Sequence, residues 1–268
     1  MPKADSFQIK NISTNTDLEN LDKILAGFDP ISLKQMDGVA LQDRLDTKFM
    51  FKDDLLPSLL EKMKADYFVL DIKDKRYNHY ETLYFDTNDF GLYLRHHNGR
   101  VNRYKFRSRR YVESDLNFFE IKFKNNKGRT IKERIKKNEI IKNLCDTSSE
   151  FVRNISNIDP NTLEPKLWVN YRRMTFVNKN SPERLTIDTN LTFIDDHHNV
   201  LYKGLVIAEL KQGGANEKSP FRNLMREYSV QEKSISKYCL GVITLNEKIK
   251  KNNFKPTLLY LNKLLKAS

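Results

Sequence analysis

The sequence has only two cysteines, Cys145 and Cys239. That is too few for a disulfide framework or a cysteine-based zinc site, and both are expected to be buried, reduced thiols. Glycine (9) and proline (8) are sparse in 268 residues and scattered. They mark turns, and they exclude a flexible linker or a low-complexity tract. No run approaches the roughly 18 apolar residues that a membrane-crossing helix needs, which excludes an integral helical membrane protein. Residues 1–13, MPKADSFQIKNIS, lack the apolar core of a secretory signal, so a cytoplasmic location is expected. Acidic residues are in deficit as well. Asp plus Glu is 35 against 47 Lys plus Arg, a formal net charge of +12. A surface this basic attracts polyanions: nucleic acid, polyphosphate, nucleotides or an anionic membrane face.

What is present suffices for a core, with 16 Phe and 12 Tyr. The length suits one large domain or two small ones. Leu18, Leu21, Ile24, Leu25 and Phe28 recur at helical spacing behind Thr16 or Asp17 as a cap. A second helix is expected over Asp54–Ala65. The middle of the chain is different. Residues 39–52, 67–73, 76–86, 101–112, 117–125 and 129–137 are rich in β-branched and aromatic residues and bounded by Gly, Asn or Asp. Lys127-Gly128 marks a hairpin between the last two. Residues 88–97 read as a short helix or loop, and 138–157 as one or two helices. Strands resume at 165–178, 183–190, 192–195, 200–203 and 204–212, and helices follow at 220–229, 234–247 and 256–266. Many long strands with short connections and flanking helices predict an α+β fold with a barrel or strongly curved antiparallel sheet.

The unusual feature is which face holds the charges. Strand side chains alternate between two faces. Residues 39–52 group Arg44, Asp46 and Lys48; residues 101–112 group Arg103, Lys105, Arg107 and Arg109. Residues 117–125 group Glu120, Lys122 and Lys124, and residues 129–137 group Lys132, Arg134 and Lys136. Further on, Tyr171 aligns with Arg173, Arg184 with Thr186 and Asp188, and Glu209 with Lys211. A solvated outer face would be the plain reading. Against it, like charges on neighbouring strands repel, and a few acids recur inside the basic stripes. Arg and Lys in such numbers suit phosphate oxygens, and the acids suit a hard divalent cation, Mn2+ or Mg2+. Glu209–Lys211 sits in the apolar run Leu205-Val-Ile-Ala-Glu-Leu, where buried charges need partners. Asp188 reads equally as a structural partner for Arg184. Tyr84 and Asp86 read as a strand end. The pairs His96-His97 and His197-His198 read as surface loop residues, because strand neighbours face opposite ways. Phe106, Phe119 and Phe123 lie opposite the charges, which reads as core and disfavours base stacking on nucleic acid.

These residues carry a family resemblance. Asp43-Arg-Leu-Asp-Thr-Lys48-Phe, Leu83-Tyr-Phe-Asp86, Phe106-Arg-Ser-Arg109-Arg-Tyr111, Glu120-Ile-Lys122 and Ile131-Lys-Glu-Arg134 come first. Tyr171-Arg-Arg173-Met-Thr-Phe176, Arg184-Leu-Thr-Ile-Asp188, Ala208-Glu-Leu-Lys211 and Ser236-Lys-Tyr-Cys-Leu-Gly241 follow. In this order, over about residues 39–241, the chain resembles the VTC-type polyphosphate polymerase domain of the triphosphate tunnel metalloenzyme superfamily. The resemblance implies an eight-stranded antiparallel barrel whose basic tunnel binds a nucleoside triphosphate and a growing polyphosphate. It implies an N-terminal helical extension over 1–38, the tunnel domain over 39–248 and a C-terminal helix over 249–268. Arg107, Arg109, Lys122, Arg173 and Arg184 would be catalytic. Lys48, Lys132, Arg134, Lys211 and Lys237 would bind substrate, and the face pattern adds Arg44 and Lys105. Glu209 would hold Mn2+ or Mg2+. The implied reaction passes the γ-phosphate of ATP to phosphate or a polyphosphate end. It needs positioning and charge stabilisation, and no protein nucleophile. A tunnel triphosphatase and a non-catalytic polyanion-binding module are the competing readings. The basic surface is also compatible with a peripheral partner protein.

Overall fold

The computed structural model describes residues 15–37, 45–213 and 218–266. In chain order the elements are α1 (Asn15–Ala26), β1 (Asp29–Ile31), α2 (Leu33–Asp37), β2 (Leu45–Lys52), α3 (Leu56–Met63), β3 (Tyr67–Leu70) and β4 (Asn78–Asp86). Then come α4 (Gly91–His97), β5 (Arg103–Tyr111), β6 (Leu116–Lys124), β7 (Thr130–Lys137), α5 (Asp146–Ile155), β8 (Glu164–Asn178) and β9 (Glu183–Ile194). The chain ends with β10 (Asn199–Leu201), β11 (Leu205–Gln212), α6 (Pro220–Glu227), α7 (Lys237–Leu245) and α8 (Lys255–Lys266). The protein is α+β, and its large sheet is ordered β2-β11-β9-β8-β4-β5-β6-β7 with every neighbouring pair antiparallel.

Alternation decides what each face of this sheet packs against. The outer faces of β2, β8, β9 and β11 present Phe49, Phe51, Phe176, Ile187, Ala208 and Leu210. They are buried under α1, α3 and α6 through Leu25, Leu59, Leu60, Met63, Phe221 and Met225. The outer faces of β4, β5 and β6 present Leu83, Phe85, Phe106, Phe119 and Ile121, covered by Val152 of α5. The inner face divides in two. At one end Met50, Leu167, Val169, Leu205 and Ile207 pack on α7 (Tyr238, Val242, Leu245) and on Leu261 of α8. At the other end the inner face is charged.

The sheet is rolled. Glu209 on β11 and Lys122 on β6 are five strand steps apart, about 24 Å in a flat sheet. The Glu209 carboxylate nonetheless acts electrostatically on the Lys122 ammonium, and the reverse. Rolling turns the charged inner faces towards one another. Among the described residues no pairing joins the outer strands β2 and β7, so the eight-strand path is a rolled sheet.

Several local expectations are corrected. The segments 183–190 and 192–195 are one strand, β9, in which Asn190 adopts a positive φ of 52°. This irregularity lets Thr186 and Asp188 on one side of it, and Leu191 and Phe193 on the other, share the inner face. The N-terminal region also contributes β1, which pairs parallel with β3. Pro30 and its three-residue length hide it from a periodicity reading. His96 and His97 lie on α4 and not in a loop. His97 is buried and accepts from the Asn253 backbone N–H, and His96 Nδ1 meets Cys239 Sγ at 3.0 Å. Cys239 is buried but Cys145, at the start of α5, is exposed.

Candidate functional site

The charged inner face is built in rows by strand register. Lys105, Lys122 and Lys132 stand opposite one another on β5, β6 and β7. The next row is Tyr84, Arg107, Glu120 and Arg134, and the next is Thr82, Arg109, Phe118 and Lys136. On the facing wall, Lys211 lies between Asp46 and Arg184, Glu209 lies between Lys48 and Thr186, and Arg173 stands opposite Asp188.

Each carboxylate is shared by several cations. Glu120 accepts from Arg107 Nε at 2.6 Å, lies 2.5 Å from its Nη2, pairs with Lys132 and lies 4.0 Å from Arg109. Asp188 takes Arg173 at 2.5 and 2.7 Å and Lys237 at 2.6 Å. Glu209 pairs with Lys211 and lies 4.0 Å from Lys48, and Lys211 also reaches Asp46 at 3.0 Å. Burial alone would push Glu120, Asp188 and Glu209 towards the neutral acid, but their cations win and hold all three below the usual carboxylate range. Asp188 therefore serves Arg173 and Lys237, not Arg184. Arg184 sits four residues along the same strand, opposite Lys211.

The cations exceed what these acids can satisfy. Lys122 makes no ion pair among the described residues. Its ammonium is held well below the usual lysine range, first by Arg107 and then by burial. Burial likewise depresses Lys105 and Lys132. Among the described residues Arg109, 6% exposed, donates only Nε, to Thr82 Oγ1 at 3.1 Å. Its guanidinium instead lies over Tyr80, Tyr111 and Tyr171, at 5.6, 5.9 and 5.9 Å from the ring centroids. Arg173 also rests on Tyr80 and Tyr171, and Lys237 on Tyr171. Such contacts hold a cation in place without neutralising it. Burial raises phenols, yet Tyr84 beside Arg107 and Tyr111 beside Arg109 are lowered, the mark of a strongly positive site.

The structure thus brings together Lys48, Lys105, Arg107, Arg109, Lys122, Lys132, Arg134, Arg173, Arg184, Glu209, Lys211 and Lys237 on one rolled face. Arg134 sits at its rim over Phe118, 4.4 Å from the centroid. Arg44 lies outside the described residues. Lys237 arrives from a second element, α7. Ser236 caps α7 and accepts from Lys105 Nζ at 2.9 Å, which ties the helix start to β5.

Sequence reasoning aligned Tyr171 with Arg173 but missed Tyr80, Tyr84 and Tyr111 as members of the site. Tyr84 is part of the site, because its hydroxyl accepts from Arg107 Nη1 at 3.2 Å. Tyr80 lies between Arg109 and Arg173. The period-two series Asn78, Tyr80, Thr82, Tyr84 and Asp86 was the available signal. Asp86, fully buried, accepts from the backbone N–H groups of Thr87, Leu92 and Tyr93 and from the Tyr238 hydroxyl. It thereby fixes α4 and α7 to the end of β4.

For a divalent ion, no group of three His, Cys, Asp or Glu residues occurs among the described residues. Asp46 and Glu209, however, both contact the Lys211 ammonium. This pair of hard oxygen donors around a cationic position fits Mg2+ or Mn2+ of the kind held by one or two carboxylates and completed by substrate phosphates.

A Vibrio parahaemolyticus protein assigned as an adenylate cyclase matches 74% of this chain and 99% of its own, at 14% identity and TM-score 0.45. A Bacillus halodurans protein of the same assignment matches 73% and 96%, at 12% identity and TM-score 0.46. A Hippeastrum protein, assigned as an adenylyl cyclase and showing a dominant triphosphatase activity, matches 74% and 95%, at 13% identity and TM-score 0.41. No curated protein matches the chain by sequence. The sequence model of the VTC domain matches residues 43–246, most of the chain and all the strands that build the charged face, and the chain belongs to the VTC domain family.

Proposed function

We propose that this chain is a polyphosphate polymerase whose rolled sheet forms a basic tunnel. The terminal P–O bond of ATP breaks, ADP leaves, and a new P–O–P bond forms to an oxygen of phosphate or of a polyphosphate end. The observation that supports this reading is the lysine row beside Arg107. Lys105, Lys122 and Lys132 stand side by side, and Lys122 has no carboxylate of its own among the described residues. Like charges in register are destabilising, and a chain of phosphates supplies the missing anions.

On this reading Arg109, Arg173 and Lys237, held on tyrosine faces, orient and neutralise the transferring phosphoryl oxygens, the main demand of a loose transition state. Lys48, Lys211, Arg184, Lys105, Lys122, Lys132 and Arg134 bind the rest of the chain. A divalent cation held by Glu209 and Asp46 would supply further charge neutralisation between phosphates. We place the protein in a reducing, cytoplasmic compartment, consistent with the free surface thiol of Cys145. Nucleic acid is not the proposed ligand, because Tyr80, Tyr111 and Tyr171 have their faces taken by arginines.

A second reading, a metal-dependent triphosphatase with water as acceptor, is favoured by one observation. The apolar end of the inner face is filled by α7, which suits a short triphosphate. One experiment separates the two. Purified protein is incubated with ATP and Mn2+ or Mg2+, and ³¹P NMR follows all phosphorus species, alongside Arg109→Ala and Glu209→Ala. Internal polyphosphate resonances growing with ADP, and lost in both variants, are the expected result. Orthophosphate alone, lost in the same variants, would establish the triphosphatase.

A further inference from the structure

Arg107 and Arg109 are neighbours on one face, yet they are not equally available. Arg107 spends Nε and Nη2 on Glu120 and Nη1 on the Tyr84 hydroxyl. Of the five N–H donors of a guanidinium, the pair on the Nε–Nη2 edge is turned to Glu120, so a phosphate gains that edge of Arg107 only by competing with Glu120. Among the described residues Arg109 has one hydrogen-bonded nitrogen and Lys122 has no ion pair, so both can take phosphate directly.

Glu120 is 0% exposed and stands on the middle strand of the three that carry the densest positive charge. It is flanked in register by Arg107 and Arg134, and the row of Lys105, Lys122 and Lys132 is next to it. Among the described residues it is the one carboxylate that ion-pairs with the inner-face cations of β5, β6 and β7. A metal ligand would leave an oxygen aimed at an open position. Glu120 instead has both oxygens against protein cations, Oε2 on Arg107 and Oε1 on Lys132.

We propose that Glu120 is a resident anion that sets the affinity of this face for phosphate. Its carboxylate occupies Arg107 and Lys132 when the face is empty and is partly displaced from them when a phosphate chain binds. The same contact keeps the unliganded cations from driving the strands apart and keeps the bound chain from being held too tightly to advance or leave. The inference rests on the phosphate-binding reading of this face, but not on the direction of the chemistry.

The test is titration of inorganic tripolyphosphate into the full chain and into Glu120→Gln by calorimetry, with the metal chelated and at fixed salt. Melting temperatures are measured in parallel. Glutamine keeps the shape and removes the charge. A unit charge roughly 7 Å from a phosphate oxygen at an effective dielectric of about 20 is worth more than a factor of ten. Glu120→Gln is therefore expected to bind tripolyphosphate at least about tenfold more tightly than the parent. It is also expected to melt lower when empty and to recover on adding tripolyphosphate. A carboxylate that merely props up Arg107 gives the opposite sign, and equal or weaker binding by the variant overturns the proposal.

Should the variant not fold, the parent chain still decides the matter. The Arg107 Nε–H resonance, bonded to Glu120 in the empty protein, is expected to move on saturation with tripolyphosphate. An unmoved resonance overturns the displacement. Binding by neither protein would sink both this proposal and the phosphate-binding reading. Parent binding without tightening in the variant would sink this proposal alone. Tightening in a protein that makes no polyphosphate would leave it standing and remove the polymerase.

Discussion

Lys122 is flanked by two further lysines in register and lies close to Arg107. Removing an ammonium from water without a paired carboxylate is unfavourable, so this residue works against the empty fold and for the liganded one. Replacement by a flexible apolar side chain separates the two effects. Lys122→Met is expected to raise stability in urea by about 1 kcal/mol or more and to weaken tripolyphosphate binding about 10- to 100-fold, the worth of a charged hydrogen bond. The pH dependence has a definite sign. The lysine is depressed in the folded state relative to 10.5 in the unfolded chain. Between those two values the unfolded state binds more protons, so the parent gains stability as pH rises towards 10.5. Lys122→Met is expected to lose that rise. Urea melts at intervals from neutral pH upwards read it directly, and parallel curves for the two proteins would refute it.

At the scale of elements, α7 turns a rolled sheet into a site. It packs its apolar side against one end of the inner face and sets Ser236 and Lys237 beside Lys105 and Asp188. The approach is so close that a Cβ at Gly241 would stand 2.5 Å from Leu167 Cδ1 and 2.7 Å from Phe193 Cδ1. Gly241→Ala is therefore expected to cost about 1–3 kcal/mol through overpacking. It should also weaken triphosphate binding, because Lys237 moves with the helix. Circular dichroism melts with a parallel titration check both halves, and a variant as stable as the parent would contradict the tight seat. The strands themselves were legible. The alternation in Arg103 to Arg109, Glu120 to Lys124 and Lys132 to Lys136 predicted β5, β6 and β7 and the shared face of their charges. The placement of α7 was not, since an apolar helix reads alike whether it coats the outside of a sheet or fills its inside. The Asp188–Arg173 pair was hidden for a related reason. It depends on the register between β8 and β9, which shifts near Asn170 and Arg172 and which no single strand's periodicity reveals. The tyrosines of β4 were visible as residues but not as site members, because only the strand order β8-β4-β5 sets Tyr80 between arginines of its two neighbouring strands.

For the whole molecule, the excess of positive charge is not spread evenly. The chain carries +12, and much of that excess is concentrated on one concave face, where rolling prevents the cations from separating. Salt then acts in two opposed ways. Screening shortens the reach of repulsion between partly exposed cations, from about 10 Å at 0.1 M to about 3 Å at 1 M, so the empty protein should become more stable with added sodium chloride. The same screening weakens attraction for a polyanion. Ligand stabilisation follows the ratio of ligand concentration to Kd, about 2.7 kcal/mol at a hundredfold excess, and it must shrink as Kd rises. Melting temperatures taken across a sodium chloride series, with and without a fixed concentration of tripolyphosphate, should therefore converge. The empty curve climbs and the liganded curve falls towards it. Two parallel curves would mean that tripolyphosphate binds without using the charge of the face, and a falling empty curve would mean that the cations are already neutralised by Glu120, Asp188 and Glu209. Convergence requires both a surplus of positive charge in the empty fold and a ligand that removes it.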